Sequence, residues 1–104
     1  MWDKDEAGSE KAMTVKVKFL TSFRDLFGGR ERDVSLPEKA LLRQLLVMLC
    51  DTPERRTQVF TGRDELSPYV VVMKNGLPVQ SLGGLEALLE HGDTIAIFPF
   101  LGGG

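Results

Sequence analysis

The residues best placed to do chemistry stand at the end of the sequence, Gly102-Gly103-Gly104. With average glycine usage of about 7%, three glycines in a row at one chosen place arise by chance roughly three times in ten thousand. Glycine is also a poor residue for ending a strand when order alone is wanted, because it loses the most conformational freedom on folding. What it offers is a thin thread without side chains, able to enter a narrow channel in another protein. The group carried on that thread is the α-carboxylate of Gly104. An ATP-using enzyme can convert such a carboxylate to an acyl-adenylate, which a sulfur or nitrogen nucleophile then attacks. The terminus is therefore expected to be the reactive part of the chain, against the plainer alternative of an ordinary frayed end.

Nothing else in the sequence forms a catalytic set. Cys50 is the single cysteine, which excludes an intramolecular disulfide and a cysteine-based zinc site. It stands at the end of a leucine-rich helical pattern, where a small buried hydrophobe is the main reading and a persulfide role the minor one. His91 is the single histidine, so a histidine-cluster metal site is excluded as well. Preceding Gly92-Asp93, it reads as a solvated residue at a helix end. Asp25, Asp33, Asp64, Glu65 and Asp93 are scattered or lie in turns, with no spacing that pairs two carboxylates. Gly28-Gly29 and Gly83-Gly84 lack the Walker pattern and read as turn geometry. The expectation is a protein with no metal, no bound cofactor and no catalysis of its own.

Bulk properties narrow the setting. A chain of 104 residues, 42% hydrophobic and 27% charged, fits one globular domain with a modest core. A formal net charge of -2 argues against general nucleic-acid binding, which needs a basic excess to neutralise phosphates. No apolar run approaches the roughly 18 residues of a membrane helix, and Met1 to Ala12 lacks an apolar secretory segment. With its lone cysteine, the chain is expected to be cytoplasmic.

The elements that would position the terminus follow from periodicity. Residues 1–12 are polar and without period, and read as a flexible extension in which Trp2 is the one candidate for docking; Met13 is a second candidate start. From Thr14 the pattern has period two, with Val15, Val17 and Phe19 on one face and Lys16, Lys18 and Leu20 on the other. Phe27-Gly28-Gly29-Arg30 supplies a turn, and Asp33 to Leu36 returns as a strand with Val34 and Leu36 inward. Pro37 suits the first turn of a helix whose apolar stripe is Leu41, Leu42, Leu45, Leu46 and Leu49. That helix is expected to stop near Asp51-Thr52, ahead of Pro53. Residues 53–67 read as irregular, anchored by Val59, Phe60 and Leu66. Tyr69 to Met73 reads as a well-buried strand, followed by the hairpin signal Asn75-Gly76 and the short partner Leu77-Pro78-Val79. Gly84 to Glu90 reads as a short helical turn stopped at His91-Gly92, and Asp93 to Phe98 as the last strand, ended by Pro99. The order β-β-α-β-β-β, a mixed sheet on one main helix, gives an α+β domain over residues 13–99 with a flexible tail at 100–104.

Several of these pieces resemble one family in order and spacing. Val15-Lys16-Val17-Lys18-Phe19 precedes Phe23-Arg24-Asp25-Leu26-Phe27-Gly28. The leucine helix follows, then Asn75-Gly76 with Val79, then Leu89-x-x-Gly92-Asp93, and last Ile97-Phe98-Pro99-x-x-x-Gly103-Gly104. From about Thr14 to Gly104 the chain resembles the small subunit of molybdopterin synthase and its relatives, the MoaD/ThiS-like, ubiquitin-like sulfur carriers of the β-grasp fold. The resemblance implies that a ubiquitin-activating-type adenylyltransferase uses ATP to adenylate the Gly104 carboxylate. A persulfide donor then makes it a thiocarboxylate, and the large subunit of molybdopterin synthase takes up the tail and passes the sulfur to a pterin precursor. On that reading the chain is not an enzyme by itself but the sulfur-carrier subunit of a sulfurtransferase complex.

Strand alternation adds a docking surface. Phe98 points away from Ile95 and Ile97, as Leu20 does from Phe19. If first and last strands are neighbours, Leu20 and Phe98 form an apolar patch on the outer face beside the tail, extended by Phe100 and Leu101. The plainer alternative is that Phe98 closes the core. Other functional readings are a sulfur carrier for thiamine, cysteine or tungsten-pterin synthesis, a protein modifier joined to lysines through Gly104, and a β-grasp interaction module with inert glycines. Phe98-Pro99, which the molybdopterin-type members share, tilts against thiamine.

Overall fold

The computed structural model describes residues 12–62 and 65–100; Trp2 and the rest of 1–11, and Leu101 to Gly104, lie outside the described residues. In chain order the elements are β1 (Ala12–Phe19), α1 (Phe23–Phe27), β2 (Glu31–Pro37), α2 (Leu42–Leu49), α3 (Pro53–Val59), β3 (Phe60–Thr61), β4 (Glu65–Leu66), β5 (Val70–Lys74), β6 (Leu77–Pro78) and β7 (Thr94–Pro99). Two 3-10 turns, Val79–Leu82 and Gly84–Glu86, precede β7. Five strands make one sheet in the order β2-β1-β7-β5-β6, while β3 and β4 form a separate two-stranded ribbon. β1 runs parallel to β7, and the other neighbours in the large sheet are antiparallel. A mixed sheet with the main helix α2 between the two strand pairs is the expected ubiquitin-like β-grasp.

The period-two pattern decides which face is inside. Val15, Val17, Ile95 and Ile97 are fully buried and Phe19 nearly so. They share one core with Val34, Leu36, Val70 and Val72 from the sheet and with Leu42, Leu45, Leu46 and Leu49 from α2. The expected leucine stripe is thus the inward face of α2, apart from Leu41, which is only half-buried just before the helix. Val59 and Phe60 anchor in this core as expected, with Leu66 packed against it.

Four local expectations need correction. Pro37 does not open a helix: it is the last residue of β2, paired with Ala12 at the sheet edge, where a proline is tolerated. α2 begins only at Leu42, and its start is capped from a distance. Leu41 has no side-chain acceptor, so Gln44 Oε1 takes the Leu41 N–H (2.9 Å), and the Leu42 N–H donates to the Ala87 carbonyl (2.9 Å). Second, Pro53 ends one helix and starts another. Thr52 Oγ1 accepts the Arg55 N–H at 3.2 Å and Pro53 fills the first turn, so residues 53–59 are helical rather than irregular.

Third, the segment before Gly28 is not only a turn. Phe23 and Phe27, four apart, bury one face of the short helix α1, and Phe27 stacks on Phe19 with centroids 4.6 Å apart. Gly28 closes that helix at φ +80°, a left-handed conformation suited to glycine. Fourth, no helix runs to Glu90; the last 3-10 turn ends at Glu86. His91 therefore lies beside β1 rather than at a helix end, and its Nδ1 accepts the Thr14 N–H at 3.1 Å.

The hairpin signal is carried through. Asn75 (φ +52°) and Gly76 (φ +84°) form the two-residue turn between paired Lys74 and Leu77. Asn75 has a second task. Its Nδ2 donates to Asp93 Oδ1 (2.9 Å), while its Oδ1 accepts the Thr94 N–H (2.9 Å). Asp93, only 6% exposed, also accepts the Glu90 N–H at Oδ2 (2.8 Å) and lies 3.6 Å from Lys74 Nζ. The two short motifs Asn75-Gly76 and Gly92-Asp93 are therefore one polar joint fixing the β5–β6 hairpin to the start of β7. Replacing Asp93 with alanine removes the shared acceptor of the Asn75 amide and the Glu90 N–H and is expected to cost about 1–3 kcal/mol, read as a lowered urea midpoint at unchanged m-value.

Cys50 caps the C-terminal end of α2 and is fully buried, its N–H donating to the Leu46 carbonyl at 2.9 Å. Burial pushes its thiol from the ordinary 9.0 up to about 11, with Arg56 and Arg55 pulling the other way and Asp51 adding to the rise. A protonated, enclosed sulfur is a core atom, not a nucleophile or a persulfide carrier. A group whose folded pKa is raised binds its proton more tightly when folded, so its contribution is full below pH 9 and lost as pH climbs toward 11. Wild type is expected to lose on the order of 2 kcal/mol more stability than Cys50→Ala over that interval, checked by urea titrations at both ends.

Candidate functional site

The end of β7 carries the approach to the glycine tail, and its neighbours are set by register. β1 and β7 pair in parallel, Lys18 with Ala96 and Phe19 with Ile97, and the Leu20 N–H then donates to the Ile97 carbonyl at 3.2 Å. On the other side Val71 pairs with Phe98 and Met73 with Ala96. Residues opposite one another in such ladders present their side chains on the same face. Leu20, Phe98 and Val71 thus make a row across three strands on the face away from α2. All three are half-buried, while the alternating Ile95 and Ile97 are fully enclosed beneath. Phe98 does not close the core. Ala96 and Met73, also half-buried, form the next row, with Lys18 exposed beside them.

The ladder continues past the last assigned strand residue. Val70 pairs with Pro99, and the Phe100 N–H donates to the Tyr69 carbonyl at 2.8 Å. Tyr69 and Phe100 are therefore opposite one another, exposed by 72% and 54%. The expectation of a wholly buried Tyr69–Met73 strand holds only for Val70 and Val72. An antiparallel sheet covered on one face buries alternate residues, and a run of β-branched side chains hides that alternation. Sequence reasoning accordingly passed over Tyr69 and Val71; once β5 is paired with β7, their parity with Phe98 identifies them.

Of the residues singled out in the sequence, the fold brings together Leu20, Phe98 and Phe100 at one corner of the sheet. Leu101, Gly102, Gly103 and Gly104 continue from that corner and lie outside the described residues. His91 stands at the opposite end of β1, beside a cavity of about 350 Å³ lined by Met13, Lys39, Leu88 and Glu90. Cys50 lies in the core, away from the outer face. Among the described residues no three His, Cys, Asp or Glu side chains cluster to hold a metal, and no helix is long and apolar enough to cross a membrane. What the corner provides is a half-buried apolar strip on the outer face of the sheet at the end of β7.

Known proteins resemble this chain over most of its length. Small archaeal modifier protein 3 of Haloferax volcanii is 29% identical over 96 residues, spanning 88% of this chain and all of its own. An Archaeoglobus fulgidus protein, provisionally named a sulfur carrier protein, is 32% identical over 93 residues, again 88% of this chain and all of its own. Among solved structures, a Pyrococcus furiosus protein provisionally named molybdopterin converting factor subunit 1 superposes with a TM-score of 0.67. It shares 29% identity, over 84% of this chain and 97% of its own. The model of the ThiS family matches residues 17–104, from the middle of β1 through the three glycines, and the chain belongs to that family.

Proposed function

We propose that this protein is a sulfur carrier acting through the Gly104 carboxyl group, and that its sulfur goes to a pterin precursor in molybdopterin synthesis. The observation that carries the reading is the corner of the sheet, where the Leu20–Phe98–Val71 row lies directly against the strand that leads to Gly102-Gly103-Gly104. The pterin acceptor is supported by the Phe98-Pro99 pair and by the likeness to the Pyrococcus furiosus protein.

The chemistry requires two partners and no cofactor held by this chain. A ubiquitin-activating-type enzyme binds the strip and ATP; the Gly104 carboxylate oxygen attacks the α-phosphorus, forming the acyl-adenylate and releasing pyrophosphate. A persulfide, R–S–S⁻, attacks the acyl carbon and expels AMP, giving an acyl disulfide. A second thiol then cleaves the S–S bond, leaving the thiocarboxylate and an R–S–S–R′ disulfide that carries away the two oxidising equivalents. The large synthase subunit takes up the same tail and supplies the side chains for transfer to the pterin. The glycines keep the acyl carbon accessible, and Leu20, Phe98, Phe100 and Leu101 hold the carrier against each partner in turn.

A second reading, a modifier linked through Gly104 to lysines of other proteins, is favoured by the relative named as a modifier. It differs only in the nucleophile that meets the adenylate.

Intact-mass measurement after incubation with an activating enzyme, ATP and a persulfide donor separates the two. Exchange of one oxygen for sulfur at Gly104 is the expected result, isopeptide-linked adducts favour the modifier, and an unchanged mass with every activating enzyme of the same genome sinks both. Deleting Gly103-Gly104 is expected to abolish the exchange while shifting stability by no more than about 0.5 kcal/mol. Phe98→Asp is expected to raise the KM for the activating enzyme about tenfold or more, since roughly 1.4 kcal/mol of lost docking suffices.

A further inference from the structure

Thr21 is held in a backbone conformation that its own side chain opposes. The Phe23 N–H donates to the Leu20 carbonyl at 3.1 Å, closing a four-residue turn with Thr21 and Ser22 at its centre. φ is +53° at Thr21 and −67° at Ser22. A positive first φ followed by a negative second one is the pattern of a type II′ turn, whose first central position belongs to glycine. Threonine is a costly occupant there, because a branched Cβ crowds its own backbone at left-handed φ. The other non-glycine residues with positive φ among the described residues, Lys39 and Asn75, carry no such branch.

Nothing inside the molecule uses the side chain that brings this strain. Thr21 is exposed, and among the described residues its hydroxyl has no hydrogen-bond partner. Ser22 is exposed too, and although it stands at the N-cap of α1 its hydroxyl caps no helix N–H. Both follow Leu20 directly, whose N–H is tied to the Ile97 carbonyl at 3.2 Å. Two free hydroxyls therefore border the half-buried Leu20–Phe98–Val71 row where it reaches the end of β1. An apolar centre edged by polar groups is the ordinary build of a protein interface.

We propose that the Thr21 hydroxyl is a specificity-determining contact of this corner, hydrogen-bonded to a polar group that the activating enzyme places beside its apolar seat for Leu20 and Phe98. The inference rests on the reading of the Leu20–Phe98–Val71 row as the docking surface of a sulfur carrier. The partner it fits presents an apolar patch edged by one hydrogen-bonding group. A carrier without a hydroxyl at this place leaves that group shielded from water and unpaired. Discrimination then comes from the cost of the missing bond, which exceeds the net gain of making it.

Three variants separate the hydroxyl from the backbone. Thr21→Gly relieves the turn and removes the hydroxyl; Thr21→Ala removes the hydroxyl and keeps a Cβ; Thr21→Ser keeps the hydroxyl without the branch. Circular dichroism establishes that each is folded. Urea titration is expected to place the midpoint of Thr21→Gly above those of wild type and Thr21→Ala. The Kd for the activating enzyme, read by titration calorimetry without ATP, is expected to rise about tenfold in Thr21→Gly and Thr21→Ala. In Thr21→Ser it is expected to stay within about twofold of wild type. The most stable variant is thus among the weakest binders, a pairing that a merely structural residue does not give. Glycine and alanine variants that bind as tightly as wild type, or a serine variant that binds as weakly as the alanine one, overturn the proposal. Wild type that does not bind the enzyme overturns the contact and the docking row together. Wild type that shows these differences in binding but gains no sulfur with ATP and a persulfide donor overturns the carrier reading and leaves the Thr21 contact standing.

Discussion

The parallel pairing of β1 with β7 is the constraint on which the rest of the molecule depends. These strands lie far apart in sequence, yet they stand side by side at the centre of the sheet, with Val17 beside Ile95 and Phe19 beside Ile97. Their inward side chains are enclosed by α2 below and by neighbours on both edges, so full burial is available only when both strands are present. Everything between them must therefore fold into a connection that leaves β1 on one side and returns β7 beside it. The same pairing turns two half-buried side chains, Leu20 and Phe98, into one surface.

The connection is held by polar joints as well as by the side chains it sends into the core. Asp93 ties the β5–β6 hairpin to β7, and residues 40–42 pair with 87–89 through the Leu42 and Leu89 N–H groups to cap α2. Arg55 joins the two short helices: its Nε donates to the Leu26 carbonyl at 2.9 Å, and its guanidinium lies 5.4 Å from the Phe27 ring centre. Each joint satisfies backbone groups that no helix or strand would otherwise pair, the condition for burying irregular backbone at all. The cost of removing one exceeds its net gain to the extent that the donor left behind is shielded from water.

The two faces of the sheet contribute unequally to stability. The core closes on Ile95 and Ile97 of β7, and Pro99 ends the strand. The outer strip is only half-buried and contributes little to folding compared with the fully enclosed inner face. Cys50, the single cysteine, lies in the enclosed core.

Much of this was legible in the sequence, for reasons that can be named. Period-two alternation identified the inward faces of β1, β2 and β7, the leucine spacing identified α2, and Asn75-Gly76 identified its hairpin, because each is dictated by local geometry. The glycines at 102–104 are the sequence's ground for the proposal that the terminus reacts, and they lie outside the described residues. The sequence also held Thr52-Pro53-Glu54 as a helix start and Phe23–Phe27 as a helical pair, though a proline read as a stop and a glycine pair read as a turn obscured them. Tertiary structure alone decided the rest. Pro37 became a strand end because β2 lies at the sheet edge, and α2 started at Leu42 because Ala87, distant in sequence, supplies its cap. Tyr69 and Val71 joined Phe98 on the outer face because β5 pairs with β7 in one register. Partners of that kind are fixed by contacts between distant segments, which a single chain read in order does not display.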